Sequence, residues 1–154
     1  MNIKPSFLSL HGHFYQPPYG DPFERRAENA NASQSWHEAA NANCYHPNAA
    51  LGNFERISFS AGNALLSWLA IHDREVYQRI LMSDRLLFDM GRHGNAVAVP
   101  LHHTLLPLAD MRDKLTQVRW GIADFVHRYG RRPRGRWLPE MAVDMETLAA
   151  LHDA

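Results

Sequence analysis

Short apolar segments alternate with longer segments of helical period along this chain. The short segments have the composition of β-strands, and the chain between them is long enough for helices. Because parallel strands need crossover connections of this length, the alternation predicts an α/β fold with a parallel sheet. The four predicted strands are Phe7 to His13, Arg56 to Ser60, Ala96 to Leu101 and Arg134 to Pro139.

The helical segments carry apolar residues at steps of three and four. The clearest segment, Met111 to Tyr129, turns one apolar stripe toward a core. Asp110 suits the start of this helix and Gly130 its end. Further helices are predicted at Leu65 to Ile71, at Val76 to Met90, and from about Asp144, with Leu148 and Leu151 on the inner face of the last one.

The length of 154 residues suits one domain. We predict a single partial barrel domain over residues 1–154, with no second domain. Residues 17–55 are predicted to be a long loop that contains only a short helix around residues 36–42. This loop follows the first strand and therefore lies at the carboxyl edge of the sheet, where α/β proteins bind ligands.

The composition excludes several classes of partner. The chain has 16 Lys and Arg against 16 Asp and Glu, so it has no overall positive charge to attract nucleic acid or an anionic membrane. No apolar run has the length of a membrane span, and the N-terminus lacks a signal-peptide core. Cys44 is the only cysteine, so no intrachain disulfide is expected and a cytoplasmic location is predicted.

Two histidines, His11 and His13, end the first predicted strand. Residues two apart on a strand point to the same side, so both imidazoles can face one pocket. Such a pair can begin a metal site, with further ligands from His93, His102 or His103. It can equally be a hydrogen-bonded structural pair, and the residues alone leave both interpretations open.

The segment from Trp137 to Glu140 ends the fourth predicted strand. Pro139 cannot donate to a strand ladder, so pairing should stop there and leave Glu140 at the carboxyl edge. A carboxylate at this edge, beside an indole that can stack on a sugar, suits a nucleophile or an acid/base. The alternative is a solvated glutamate near the start of the last helix.

Together these residues resemble the motifs of glycoside hydrolase family 57, in the subgroup described as α-amylase or α-mannosidase-like. The stretch from His11 to Pro18 is similar to the first family motif, Gly94 to Leu108 to the region of the second, and Trp137 to Glu140 to the third. The resemblance implies the N-terminal portion of an incomplete (β/α)7 TIM-like barrel. It also implies retaining chemistry on α-glycosidic bonds, by hydrolysis or by glucan transfer.

The resemblance further implies roles for individual residues. Glu140 corresponds to the catalytic nucleophile, the substrate is an α-glucan or oligosaccharide, and neither a cofactor nor a metal is expected. Tyr15 stands where the common first motif has its second histidine. The expected substrate contacts are His11, His13, Gln16, His103 and Trp137.

The family's acid/base aspartate comes from a later strand, and the carboxylates that follow Glu140 belong to the next helix. We therefore expect the chain alone to be catalytically inert and to self-associate through exposed barrel edges. Two alternatives stay open. One is a metal-dependent hydrolase of the amidohydrolase or deacetylase kind, built on His11, His13 and His103. The other is a carbohydrate-binding relic without catalytic activity.

Overall fold

The computed structural model describes residues 6–17 and 36–154. Over these residues the chain is α/β, with five helical segments packed around a three-stranded sheet. The strands lie in the sheet in their chain order, so the second strand is the middle one. They are β1, His11–Phe14; β2, Ser58–Ala61; and β3, Ala96–Val97.

The middle strand β2 pairs in parallel with both of its neighbours. On one side Ser58 lies opposite His11, and on the other side Phe59 lies opposite Ala96. The predicted α/β class and parallel pairing are therefore confirmed. Parallel strands joined through helices form the N-terminal portion of a TIM-like barrel.

The first strand begins later than predicted. It starts at His11 rather than Phe7, because β2 begins at Ser58, directly opposite His11. Phe7, Leu8 and Leu10 precede the paired residues and are largely exposed.

The third and fourth strands are shorter than predicted. After Ala98 the chain leaves the sheet, and the Leu101 N–H donates to the Gln117 carbonyl of a helix at 3.1 Å. The fourth segment forms a single parallel bridge, between Ala98 and Arg136. Its hydrogen bonds run from Ala98 N–H to the Gly135 carbonyl and from Trp137 N–H to the Ala98 carbonyl, at 3.0 and 2.8 Å.

The helices largely follow the predicted segments. The short helix predicted around residues 36–42 extends to residue 50 and contains a π-helical turn, Asn41–Tyr45. Within the described residues no helix is long and apolar enough to cross a membrane. The helices are α1, residues 36–50; α2, Asn63–His72; α3, Arg74–Asp89; α4, Met111–Tyr129; and α5, Met145–Asp153.

Side-chain caps fix where three of these helices begin. Asp73, Asp110 and Asp144 each accept a hydrogen bond from the backbone N–H three residues later, at the starts of α3, α4 and α5. Gly130 ends α4 in the left-handed conformation, with φ of 67°. The predicted ends of α4 and the predicted start of α5 are thus confirmed.

The core lies between the sheet and the helices, around Phe59 of β2, Leu65 and Leu69 of α2, and Ile80 of α3. Two large apolar residues of α4 and α5 do not face it, although Leu148 was predicted to. Trp120 is half exposed, because the buried stripe of α4 runs through Val118, Gly121 and Phe125. Leu148 is also half exposed, because α5 turns Thr147 and Ala150 inward. Trp120 and Leu148 are each next in sequence to a buried residue, and one residue along a helix is a rotation of about 100° away from the buried stripe.

Candidate active site

Strand alternation and register place four polar side chains on one face of the sheet. His11 and His13 lie on β1, and each is paired with a serine of β2 at the same level. His11 Nδ1 lies 2.9 Å from Ser58 Oγ, and His13 Nδ1 lies 2.7 Å from Ser60 Oγ. His11 Nε2 also reaches Ser60 Oγ, at 3.3 Å. Two serines therefore fix both imidazole rings.

Aromatic rings extend this polar row beyond the ends of the strands. The Trp137 indole stacks with the rings of His11 and His13, at centroid distances of 4.5 and 5.2 Å. His103 stacks with His13 at 5.6 Å and with Tyr15 at 3.8 Å. Side chains from β1 and the residue after Phe14, from the segment after β3 and from the segment after the Arg136 bridge thus form one cluster of rings.

Glu140 joins this cluster through its carboxylate. Its Oε1 lies 3.0 Å from His103 Nε2, and the side chains of Glu140 and His103 are 70% and 16% exposed. Within the described residues Oε2 has no hydrogen bond or ion pair. One carboxylate oxygen is thus anchored while the other stays open to a ligand.

The backbone at Glu140 is strained. Glu140 has φ of 53° and Met141 has φ of 55°, and these two are the residues other than glycine with positive φ in the described part of the chain. A left-handed conformation costs a residue with a side chain about 1–2 kcal/mol. Strain of this kind concentrates at functional sites, where the surroundings hold a side chain in a required direction. Here it turns the carboxylate toward His103.

A cavity of about 360 Å³ adjoins the cluster. Its walls come from β1 and the residues after it, from the first residues of α2, and from the segment after β3. No Asp, Glu, Lys or Arg lines it among the described residues, so its polar side chains are histidines, a tyrosine, an asparagine and a threonine. The lining residues are His13, Tyr15, Gly62, Asn63, Ala64, Val99, Pro100, Leu101, His102, His103 and Thr104.

Both strand histidines favour the neutral form. Partial burial lowers the pKa of His11. The pKa of His13 is lowered first by partial burial and then by the neighbouring imidazoles of His103 and His11, while Glu140 acts in the opposite direction. Near neutral pH each ring therefore carries one N–H donor and one acceptor nitrogen.

The structure brings together five of the six residues that the sequence predicts for the site. Gln16 is the exception, because it is fully buried and is not part of the cavity lining. Its amide atoms make no hydrogen bond within the described residues. Those that meet in one cluster, of which His13 and His103 also line the cavity, are His11, His13, His103, Trp137 and Glu140.

The sequence did not predict that Ser58 and Ser60 bond to the site histidines or that the ring of Tyr15 stacks on His103. The signal for the serines was present, since Ser58 and Ser60 have the same two-residue spacing as His11 and His13. In parallel neighbouring strands equal spacing gives side-by-side pairs, once the register is known. The ring of Tyr15 lies directly on His103, as the stacking distance shows.

The described part of the chain shows no ready metal centre. Across residues 6–17 and 36–154, no group of three or more His, Cys, Asp or Glu is arranged to hold a metal ion. His93, an earlier candidate ligand, instead lies 3.5 Å from Arg134. Binding of a metal to a nitrogen of His11 would displace one of the serine hydrogen bonds.

Comparison with known proteins supports the fold. The chain is similar to the crystal structure of 4-alpha-glucanotransferase from Thermococcus litoralis, with a TM-score of 0.69 and 20% sequence identity. The match covers 95% of this chain and 21% of that one, so this chain spans about a fifth of the glucanotransferase. No family model matches the chain, and no curated protein does so either.

Proposed function

We propose that the chain is part of a retaining glycoside hydrolase or glucan transglycosylase of the family 57 kind, which acts on α-glycosidic bonds. The observation that carries this proposal is the Glu140 carboxylate. One of its oxygens is bonded to His103 and the other is open, at the carboxyl edge of a parallel sheet and beside a cavity. The similarity in fold to a glucanotransferase supports the same class of substrate.

Glu140 acts as the nucleophile in this proposal. A carboxylate oxygen attacks the anomeric carbon while the bond from that carbon to the leaving oxygen breaks, and the leaving oxygen takes a proton from an acid. Water, or a hydroxyl of a second glucan, then attacks the same carbon, gives its proton to the acid that was deprotonated in the first step, and releases the carboxylate. The first outcome is hydrolysis and the second is transfer.

The other site residues bind and orient the sugar. His13, His103 and Tyr15 line the cavity and offer polar atoms to sugar hydroxyls. His11 and Trp137 support them from behind, since both ring nitrogens of His11 are bonded to serines and the indole stacks on His11.

Retention also needs a second carboxyl group, about 5 Å from the first, to protonate the leaving oxygen. Among the described residues no Asp or Glu lines the cavity. The chain alone should therefore not turn over ordinary glucans, whose leaving groups need that proton. A substrate with a leaving group that needs no protonation can still test the nucleophile.

The test uses an α-glucosyl fluoride with a second fluorine on the sugar ring, which slows release of a covalent intermediate. Fluoride leaves as an anion, so attack by Glu140 needs no acid. We expect intact-mass analysis to show one added sugar on the chain, and peptide mapping to place it on Glu140.

The matched variants are Glu140→Gln and Glu75→Gln. Glu75 is an exposed residue of α3 that pairs with Arg79 at 2.9 Å, away from the cavity. Labelling should vanish in the first variant and persist in the second. Absence of labelling in the native chain, or equal labelling in both variants, would reject Glu140 as the nucleophile.

A further inference from the structure

We propose that Ser58 and Ser60 fix the proton positions on both strand histidines, so that His13 presents a hydrogen-bond acceptor to the cavity. The two serines are then positioning residues, which act on the ligand only through the imidazole rings. The consequence for the ligand rests on the proposed function, whereas the proton positions can be tested without any ligand.

Five groups form one continuous chain of contacts. Ser58 Oγ lies 3.1 Å from the Leu10 carbonyl oxygen and 2.9 Å from His11 Nδ1. The other nitrogen of His11, Nε2, lies 3.3 Å from Ser60 Oγ, which in turn lies 2.7 Å from His13 Nδ1. The chain therefore runs from a backbone carbonyl to the imidazole that faces the cavity.

The number of protons determines the direction of this chain. It has four contacts, and the two hydroxyls and two neutral imidazoles supply one proton each. A carbonyl oxygen can only accept, so the Ser58 hydroxyl must donate to Leu10. His11 must then donate to Ser58 from Nδ1, which leaves its Nε2 to accept from the Ser60 hydroxyl.

The last step determines the tautomer of His13. Because the Ser60 proton is directed to His11, the contact between Ser60 and His13 needs the proton of His13 Nδ1. The lone pair of His13 then lies on Nε2, the ring nitrogen left free for a ligand. The reversed chain would leave Ser58 Oγ 3.1 Å from the Leu10 oxygen with no hydroxyl proton between them, so that oxygen would keep only its bond from the Ser58 N–H among the described residues.

His103 is oriented by its bond to Glu140. A carboxylate only accepts, so His103 donates from Nε2, and Nδ1 is the ring nitrogen left for a ligand. The cavity has no Lys or Arg in its described lining to bind an anionic group, it offers the Nε2 acceptor of His13, and the Glu140 carboxylate lies beside it. It should select a ligand that donates hydrogen bonds and carries no charge, which is a neutral sugar rather than a phosphorylated or acidic one.

Nitrogen-15 NMR of the histidine-labelled chain tests the proton positions. At a pH above the histidine range, two-bond proton–nitrogen correlations distinguish the two neutral tautomers of each ring. We expect His11 and His13 both to carry the proton on Nδ1. A proton on Nε2 of His13 in the native chain would overturn the proposal.

Two variants make the test specific. Ser58→Ala removes the end of the hydrogen-bond chain that sets its direction, so His13 should shift toward the Nε2–H tautomer, although within the described residues the Ser58 hydroxyl bonds to His11 and Leu10 and not to His13. Ser60→Ala removes the hydroxyl that contacts both His11 Nε2 and His13 Nδ1, so the tautomers of both rings should no longer be fixed. The control is Ser83→Ala in α3, whose hydroxyl donates to the Arg79 carbonyl and which should leave both tautomers unchanged. An unchanged His13 tautomer in folded Ser58→Ala would contradict the chain.

Sugar titration separates this proposal from the proposed function. Maltose should shift the His13 Nε2 resonance, and maltose 1-phosphate at equal concentration should shift it less. A larger shift with the phosphorylated sugar would overturn the inference about ligand charge. If the tautomers are as expected and neither sugar binds, the glycosidase proposal fails and the assignment of proton positions stands.

Discussion

Asp84 and Glu140 are two carboxylates in opposite situations. Asp84 of α3 is fully buried and binds Arg131 through two hydrogen bonds of 2.8 Å. It also accepts from the backbone N–H of Ala96 at 2.7 Å, and Arg131 donates to the carbonyl of the same residue at 3.0 Å. Glu140 is mostly exposed and is held by one hydrogen bond, on a strained backbone.

The two carboxylates differ in how many of their oxygens are bonded within the chain and so in how many can accept a bond from a ligand. Asp84 has both oxygens bonded, and the pair it forms with Arg131 anchors the start of β3 to α3. Glu140 has one carboxylate oxygen without a partner in the described chain. Its backbone is held in a strained, left-handed conformation. Removal of a buried, fully bonded carboxylate leaves its partner uncompensated, whereas an exposed carboxylate with one open oxygen is accessible to a ligand.

The largest effect should come from removing the buried carboxylate. Asp84→Ala leaves the guanidinium of Arg131 buried without its partner, so we expect the free energy of unfolding to fall by about 3–5 kcal/mol. Urea unfolding measures this loss. Asp89→Ala, which breaks an exposed pair with Arg85, is the control and should leave the free energy of unfolding nearly unchanged. Similar losses in the two variants would remove the contrast on which the comparison depends.

A smaller loss should follow from adding a methyl group where α4 meets the cavity wall. A side chain at Gly121 would overlap the carbonyl oxygen of Val99, a lining residue. Gly121→Ala should therefore cost about 1–3 kcal/mol, as overpacked sites do. It should also weaken maltose binding, because the wall has to move. A gain in stability, as expected for alanine at an open helix position, would show that Gly121 and the Val99 carbonyl oxygen are not in tight contact.

Relief of strain beside Glu140 should stabilise the chain slightly. Met141 is exposed and left-handed, so Met141→Gly should raise the free energy of unfolding by about 1 kcal/mol. Ala149→Gly, at an exposed position inside α5, should lower it by about as much. Thermal unfolding of both variants provides the comparison. Destabilisation by Met141→Gly would mean that the turn carries no strain.

The smallest effect should be a loss of folding stability at acidic pH, caused by His11 and His13 at the edge of the sheet. The pKa values of His11 and His13 are lowered in the folded chain, so the unfolded chain takes up protons first as the pH falls. Their contribution is complete above the unfolded value of about 6.5 and is lost as the pH falls through the lowered folded values.

Urea midpoints measured between about pH 7.5 and about pH 5 should record this decline. His13→Gln should flatten it, and His152→Gln, at an exposed position in α5, should not. Midpoints that rise on acidification over this range would show that the sign is wrong.

Local patterns in the sequence determined the frame of this molecule. The stripe of α4, its Asp110 and Gly130 ends, and the start of α5 at Asp144 could all be predicted, because helix periodicity and capping depend on residues within a few positions. The order of strands and helices likewise predicted a parallel sheet. The spacing of His11 and His13 predicted a shared face for the same local reason.

Contacts between distant residues were decided only by the tertiary structure. Glu140 meets His103 across 37 positions, and Ser60 meets His13 across 47. The register of β2 selects the serine partners, and the turn after Pro139 aims the carboxylate. Gln16, predicted for the site, is instead turned into the interior. Periodicity tells which side of an element a residue takes, but the packing of whole elements determines which residues it meets there.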